Sequence, residues 1–184
     1  GKGGMAEVFL AKTTGAAGIE KVLVVKRVLP QFARNEHFLT MFVDEAKVAT
    51  RLNHPNIVQV YAFERVEGEF LLAMEFVDGV DLGRFSAAAK RQGERLPYGL
   101  SAYIMHEVTK GLDYAHKRKD SHGDSMDIVH RDVSPQNVLV SFSGDVKLAD
   151  FGIAKAALRT QETQVGVIKG KYYYRSPEPA WGDP

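Results

Sequence analysis

An acid and an amide stand five positions apart in the stretch IVHRDVSPQNVLV, which covers residues 128–140. A loop aspartate such as Asp132 can accept a proton from a hydroxyl group, and the side-chain oxygen of Asn137 can bind Mg²⁺. A second carboxylate, Asp150, follows in LADFG after the next predicted hairpin. Hard oxygen donors of these types suit Mg²⁺, which binds phosphate at the same time. Taken singly, each of the three residues could equally be a turn or capping residue.

The first eight residues, GKGGMAEV, place Gly1 and Gly3 beside a β-rich run. Because glycine has no Cβ, it lets backbone amides approach phosphate oxygens closely. The segment leads into a second β run and not into a helix, which argues against a dinucleotide-binding turn. It also lacks the Gly-Lys-Ser/Thr ending of a Walker A loop. A tight hairpin without a ligand is the alternative.

Lys26 stands in the apolar run VLVVKRV, on the side of the predicted strand that alternation turns inward. A charged amine among apolar neighbours costs free energy unless it is paired. Glu45, on the helix predicted to follow, is the best candidate for an acidic partner. A strand lysine whose amine reaches back to water is the alternative.

These candidate residues need a scaffold, and the first 77 residues predict a small sheet. The runs AEVFLAKT and KVLVVKRV alternate like strands, and the glycine-containing connection TGAAGIE joins them. Apolar residues at helical spacing predict a helix over residues 35–52, which NHPN ends. Two further strands flank the turn VEGE within residues 57–77. We therefore predict a five-stranded antiparallel sheet with one helix over residues 1–77.

From Asp78 onward the pattern becomes helical. LGRFSAAAKRQ is rich in alanine, and YGLSAYIMHEVTKGLDYAHKRK carries one apolar stripe, typical of a helix buried on one side. Three short strands follow, IVH, NVLVS and VKLAD. The sequence thus predicts an α+β chain: a sheet-rich lobe over residues 1–77, a hinge near residues 77–79 and a mostly helical, incomplete lobe over residues 78–184.

The composition narrows the classes of partner. Hydrophobic residues make up 45% of the 184 residues and charged residues 26%, which is ordinary for a globular protein. The 24 Lys and Arg nearly balance the 23 Asp and Glu, so no net field favours nucleic acid or an anionic membrane. Cysteine is absent, which excludes disulfides and Cys-bound zinc and fits a reducing, cytoplasmic compartment. No apolar run approaches a membrane span, although an anchor outside residues 1–184 stays open, as does the oligomeric state.

The glycine-rich start, Lys26, Glu45, HRD-x4-N and DFG occur in one order with workable gaps. This ordered set resembles the eukaryotic-type (Hanks-type) protein kinase family along the whole chain, and it is most similar to the bacterial serine/threonine branch. The resemblance implies a two-lobed, protein-kinase-like fold. It also implies transfer of the γ-phosphate of ATP to serine or threonine hydroxyls of a protein substrate, with Mg²⁺ as cofactor.

The resemblance assigns a role to each matching residue. Asp132 is the catalytic base, while Lys26 holds the α- and β-phosphates and pairs with Glu45. The residues implied to bind Mg²⁺ are Asn137 and Asp150. The residues implied to bind ATP are Gly1, Gly3, Val8, Lys26, Met74 (the gatekeeper), Glu75 and Val77 (by their backbone, at the adenine), Asp81 (near the ribose) and Leu139.

Three positions depart from the family pattern. The residue two after the base is usually lysine in serine/threonine kinases and is Ser134 here, while Lys171 in GKYYYRSPE replaces a threonine. Because a cation is lost in one place and gained in another, we predict that Lys171 lies near Asp132 and the γ-phosphate, as part of the catalytic site. The alternative is a solvated loop residue that touches substrate. Val24 replaces the usual alanine above the adenine.

A regulatory segment is also implied. Arg131 precedes the base, which in this family suggests control by phosphorylation of the activation loop. That loop, residues 153–170, carries Thr160 and Thr163, and a phosphate on either could pair with arginine. The alternative is that both are ordinary solvated threonines.

The chain begins at Gly1 and ends at PAWGDP, so the resemblance implies a kinase domain cut at both ends. The function is therefore predicted for the parent protein. Two alternatives stand beside a catalytic protein kinase. Ser134 suggests a nucleotide-binding pseudokinase or scaffold module. A small-molecule phosphotransferase would share the fold, although the SPE that ends the activation segment favours protein substrates.

Overall fold

The computed structural model describes residues 6–33 and 35–151, apart from the side chains of Ala16, His37, Met41 and Glu45. Two antiparallel sheets and four α-helices form within these residues. The first sheet lies before residue 76 and the second after residue 78. The chain is therefore α+β, as predicted.

The first sheet has four strands in the order β1-β2-β4-β3, and all neighbours are antiparallel. The strands are β1 Ala6–Thr14, β2 Glu20–Val28, β3 Val60–Val66 and β4 Glu69–Glu75. Glu67 and Gly68, both with positive φ, make the tight turn between β3 and β4. The prediction of five strands is wrong for the described residues, because their sequence holds four β-rich runs and each forms one strand.

Two helices accompany this sheet where one was predicted. The short α1, Pro30–Ala33, precedes α2, Glu36–Ala49. Asn35 caps α2, since its Oδ1 accepts a hydrogen bond from the backbone N–H of Phe38 at 3.0 Å. Phe38, Phe42 and Ala46 recur at helical spacing and are buried against the sheet.

The second sheet has three strands, β5 Gly79–Asp81, β6 Val138–Ser141 and β7 Val146–Leu148, in the order β5-β6-β7. A side chain at Gly79 would collide with the carbonyl oxygen of Val140, so glycine is what lets β5 approach β6. NVLVS and VKLAD form strands as predicted. IVH does not, because Arg131 follows it with a left-handed φ of 62° and turns the backbone away.

Two long helices complete the second region, α3 Leu82–Arg91 and α4 Tyr98–His116, both at predicted positions. The buried residues of α4 form one stripe, Ile104, Val108, Gly111 and Ala115. None of the helices in the described part of the chain is long and apolar enough to span a membrane.

Two separate hydrophobic cores hold these elements together. The first joins α2 to the first sheet, and the second joins α4 to β6 and β7. Leu52 and Ile57 pack in the second core although they precede residue 77. The loop before β3 therefore packs against the second core. The lobe boundary between residues 77 and 78 stays a prediction.

Candidate active site

The register of the first sheet brings four of the candidate residues onto one face. Val8 lies opposite Lys26 across β1 and β2, and Val24 lies opposite Met74 across β2 and β4. Cross-strand partners share a face, as do residues two apart on one strand. Val8, Val24, Lys26 and Met74 therefore line the same surface of the sheet.

Lys26 faces a carboxylate from the other end of the chain. Its Nζ donates a hydrogen bond to Oδ1 of Asp150 at 2.8 Å. The two side chains are only 17% and 34% exposed, so water screens this ion pair less than it would a surface pair. Glu45, the partner predicted from the sequence, lies on α2, but its side chain falls outside the described atoms, so that pairing stays a prediction.

The backbone around Asp150 is fixed by a buried histidine. Asp150 has a left-handed φ of 57°, and the buried ring of Phe151 packs on His130 at 4.5 Å. His130 is 1% exposed, and its Nε2 lies 3.1 Å from the carbonyl oxygen of Ala149. Because a carbonyl only accepts, Nε2 carries the proton and Nδ1 can accept from the backbone N–H of Asp132, 3.3 Å away. The ring of His130 thus connects the loop of Asp132 to the segment that carries Asp150. The sequence analysis missed this role.

Asn137 orients Asp132. Its Nδ2 donates to the backbone oxygen of Asp132 and to Oδ2 of the same residue, each at 2.8 Å. Asn137 is buried and closes the short 3-10 turn Pro135–Asn137. The backbone carbonyl of Asn137 accepts a hydrogen bond from the backbone N–H of Ala149 at 2.8 Å, and Asp150 is the next residue along the chain. The structure therefore brings Asp132, Asn137 and Asp150 together, while their roles in catalysis and metal binding stay predictions.

These residues fit a Mg²⁺ ion, which the family resemblance implies. Since both hydrogen bonds to Asp132 come from Nδ2 of Asn137, the amide oxygen of Asn137 is the atom available to a metal. One amide oxygen and one carboxylate suit Mg²⁺, which usually takes its remaining ligands from water and phosphate. The described residues contain no cluster of three His, Cys, Asp or Glu side chains able to hold a metal by itself.

Glu75, at the end of β4, is tied to both sheets. Its backbone N–H donates to the carbonyl of Gln59 at 2.8 Å, and its Oε2 accepts from the backbone N–H of Gln59 at 3.1 Å. Its other oxygen, Oε1, pairs with Nζ of Lys147 on β7 at 3.0 Å, with side chains 24% and 16% exposed. The sequence analysis missed Lys147, although a lysine between apolar residues in VKLAD is the same signal that identified Lys26.

Asn56 fixes the strand that carries Lys147. Its buried amide donates to Oε2 of Glu107 on α4 at 2.7 Å and to the carbonyl of Val146 at 3.0 Å. The first of these bonds is the main reason that the pKa of Glu107 lies below its usual value. The carbonyl of Asn56 also accepts from the backbone N–H of Leu148 at 2.8 Å. Asn56 therefore holds both ends of β7, the strand that directly precedes the DFG segment.

The other predicted residues lie around the second sheet, in the loop that follows Asp132, or outside the described range. Val77 lies half-buried between β4 and β5, and Leu139 on β6 pairs with Asp81 on β5. Asp81 also caps α3, since its Oδ1 accepts from the backbone N–H of Arg84 at 2.9 Å. Ser134 is buried, and its carbonyl accepts from the backbone N–H of Asn137 at 2.9 Å. The predicted residues that lie outside the described range are Gly1, Gly3, Thr160, Thr163 and Lys171.

The fold agrees with comparisons to known proteins. The family model for the protein kinase domain matches residues 1–180. The chain belongs to the protein kinase family.

Individual relatives are bacterial kinases. The chain is 42% identical over 181 residues to the tyrosine-protein kinase MasK of Myxococcus xanthus, covering 98% of this chain and 28% of that protein. It is 37% identical over 182 residues to the probable serine/threonine-protein kinase PknB of Lactococcus lactis, covering 99% of this chain and 27% of that protein. The chain thus spans little more than a quarter of the length of these relatives.

Solved structures show the same fold. The PknI kinase domain of Mycobacterium tuberculosis superimposes with a TM-score of 0.70 at 31% identity, covering all of this chain and 63% of that one. The two-lobed, protein-kinase-like fold is therefore confirmed.

Proposed function

We propose that the protein carrying this chain transfers the γ-phosphate of ATP to serine or threonine hydroxyls of other proteins, with Asp132 as the base. The observation that carries this proposal is the joint placement of the Lys26–Asp150 ion pair and the Asn137–Asp132 hydrogen bonds. Membership of the protein kinase family supports the same conclusion.

The residues of the chain act mainly by positioning and charge. Asn137 holds the Asp132 carboxylate so that one oxygen can accept the proton of the attacking hydroxyl. The hydroxyl oxygen bonds to the γ-phosphorus as the bond to the leaving ADP oxygen breaks. Lys26, together with the amides around Gly1 and Gly3, holds the phosphates. Mg²⁺ bound by Asn137 and Asp150 would supply neutralising charge.

The adenine is assigned to the face of the first sheet that carries Lys26, and the ribose to a position near the second sheet. Val8 and Met74 share a face with Lys26, and this supports a place for the adenine beside them. In the proposal the backbone of Glu75 and Val77 contacts the adenine, Leu139 packs on it, and Asp81 lies near the ribose. ATP and protein substrates meet in the cytoplasm, which is the compartment that this function predicts.

Tyrosine is a second candidate acceptor, because the relative that is 42% identical is named a tyrosine-protein kinase. Incubating the full-length protein with radiolabelled ATP and a mixture of protein substrates, followed by acid hydrolysis and phosphoamino acid separation, decides between the acceptors. Phosphoserine and phosphothreonine support the proposal, and phosphotyrosine alone would replace its acceptor.

A nucleotide-binding pseudokinase is the competing function, suggested by Ser134 where a cation is usual. The intact contacts of Lys26, Asp132, Asn137 and Asp150 favour catalysis. A protein that binds ATP in calorimetry but gives no labelled product in the transfer assay would support the pseudokinase instead.

Activity under this proposal is further controlled by phosphorylation of Thr160 or Thr163. A phosphate on either threonine would form an ion pair with the guanidinium of Arg131.

A further inference from the structure

A pocket of about 520 Å³ borders the catalytic loop on the side of α3. Two of its residues, Pro135 and Gln136, lie in the turn between Asp132 and Asn137. The others come from the start of α3 and the residue that caps it. The pocket is lined by Asp81, Gly83, Arg84, Ser86, Pro135 and Gln136. A protein segment that offers its hydroxyl to Asp132 would pass beside it.

Gly83 lets helix and loop come close at the floor of the pocket. A Cβ at this position would stand 3.0 Å from Oδ1 of Asp81 and 3.5 Å from Nε2 of Gln136. The first distance is tighter than an ordinary van der Waals contact, so a larger residue would displace the Asp81 carboxylate slightly. The absence of a side chain therefore leaves room for a guest.

The charges in the pocket are unequal in their availability. Oδ1 of Asp81 accepts from the backbone N–H of Arg84 at 2.9 Å, and Oδ2 pairs with Nε of the same arginine at 3.3 Å. The carboxylate is 19% exposed, whereas the Arg84 side chain is 81% exposed. Among the described residues, the terminal nitrogens of Arg84 donate to no other group. A basic side chain entering the pocket would meet the Asp81 carboxylate already paired with Arg84. An acidic side chain would meet the accessible guanidinium of Arg84.

Two neutral groups are compatible with this preference. Gln136 brings an amide N–H₂ and Ser86 a hydroxyl, and both can donate to an anion. The pocket also lies at the N-terminal end of α3, where the helix dipole favours negative charge. Every accessible donor at the pocket is therefore suited to a carboxylate or phosphate.

We propose that this pocket selects protein substrates with an acidic side chain, aspartate, glutamate or a phosphorylated residue, close to the acceptor hydroxyl. The inference rests on the proposed kinase function and adds the substrate class to it. Arg84 is the specificity-determining residue. It acts on the binding of substrate and not on phosphoryl transfer, because it contacts none of the reacting groups.

The test is a set of acceptor peptides in which one glutamate or one lysine is moved through about four positions on either side of the hydroxyl, a reach of roughly 13 Å at ~3.3 Å per residue. With the full-length protein, at least one position should favour glutamate about fivefold in kcat/KM, through KM, as expected for one exposed charge contact. The variant Arg84→Glu should favour lysine at that position. Arg91→Glu, the same change in the last turn of α3 and outside the pocket, should keep the preference for glutamate.

Equal rates for both peptides at every position, or a preference that Arg84→Glu leaves unchanged, overturns the inference. A second measurement separates this result from failure of the proposed function. The affinity of the glutamate and lysine peptides for the Asp132→Asn protein, measured by fluorescence anisotropy, reports on the pocket without phosphoryl transfer. If no peptide is phosphorylated but the affinities show the preference and its reversal, the kinase proposal falls and the pocket stands.

Discussion

The amine of Lys26 lies 2.8 Å from a carboxylate oxygen of Asp150, although 124 positions separate the two residues in the chain. Lys26 lies near the end of β2 in the first sheet, and Asp150 follows β7 in the second. The ion pair therefore joins the two sheets at the candidate site. In the proposed function, Lys26 supplies the cation that holds the phosphates and Asp150 supplies a carboxylate for the metal ion.

Replacing Lys26 by Met keeps most of the side-chain volume and removes the charge. We expect phosphoryl transfer to fall at least about a hundredfold, comparable to the loss of one preorganised charge contact. Initial rates with labelled ATP and a protein substrate measure this. Lys12→Met is the matched control, because Lys12 forms an exposed pair with Glu20 on the same hairpin. Near-normal turnover of Lys26→Met would remove Lys26 from the site.

Replacing Lys147 by Met leaves the half-buried carboxylate of Glu75 without its lysine. Glu75 begins the segment assigned to the adenine, so we expect the KM for ATP to rise roughly tenfold while kcat changes little. Lys147→Arg keeps the charge and should recover most of the affinity. Lys117→Met, which breaks a surface pair with Asp113, is the control. A KM equal to that of the wild type would show that the pair does not position the adenine segment.

Much of this site is predictable from residue type and order. Lys26 and Lys147 both stand as charges in apolar strands, and such charges call for partners. The predicted pairing of Lys26 with Glu45 stays a prediction, and the sequence analysis did not predict the contact of Lys26 with Asp150. That contact depends on the left-handed backbone of Asp150, which no local pattern reveals.

His130 shows the same limit from another side. In the sequence it is the last residue of an apolar run and predicts a strand. In the structure it is buried under Phe151, and its ring links the Asp132 and Asp150 loops. Burial of this kind arises from packing between segments distant in the chain. The helices α2 and α4 were predicted, because their apolar spacing is local.

Ser134 and Lys171 are predicted to share one role. If Lys171 supplies the cation that Ser134 lacks, Lys171→Thr alone should lower kcat by about tenfold or more. Adding Ser134→Lys should restore much of the loss, which is the non-additivity expected of groups with a common function. The measurement is a double-mutant cycle on kcat in the full-length protein. Unchanged kcat in Lys171→Thr, or simple addition of the two effects, would refute the compensation.

Thr160 and Thr163 are predicted to be activating phosphorylation sites. A protein in which both are replaced by Ala should be slow even after preincubation with ATP, because no phosphate can pair with Arg131. Activity assays before and after preincubation measure this, and mass spectrometry locates the phosphate. Active wild-type protein with neither threonine modified would exclude this form of control.

Asp132→Asn is the most direct test of the account, since it removes the base and keeps the shape of the side chain. We expect labelled phosphate transfer from ATP to a protein substrate to fall by at least about a hundredfold, within the usual range for loss of a general base. Binding of ATP, measured by calorimetry on the same protein, should stay within about twofold of the wild type, because Asp132 is assigned to the hydroxyl and not to the nucleotide. Transfer at the wild-type rate by Asp132→Asn would contradict the assignment of this site as the catalytic centre.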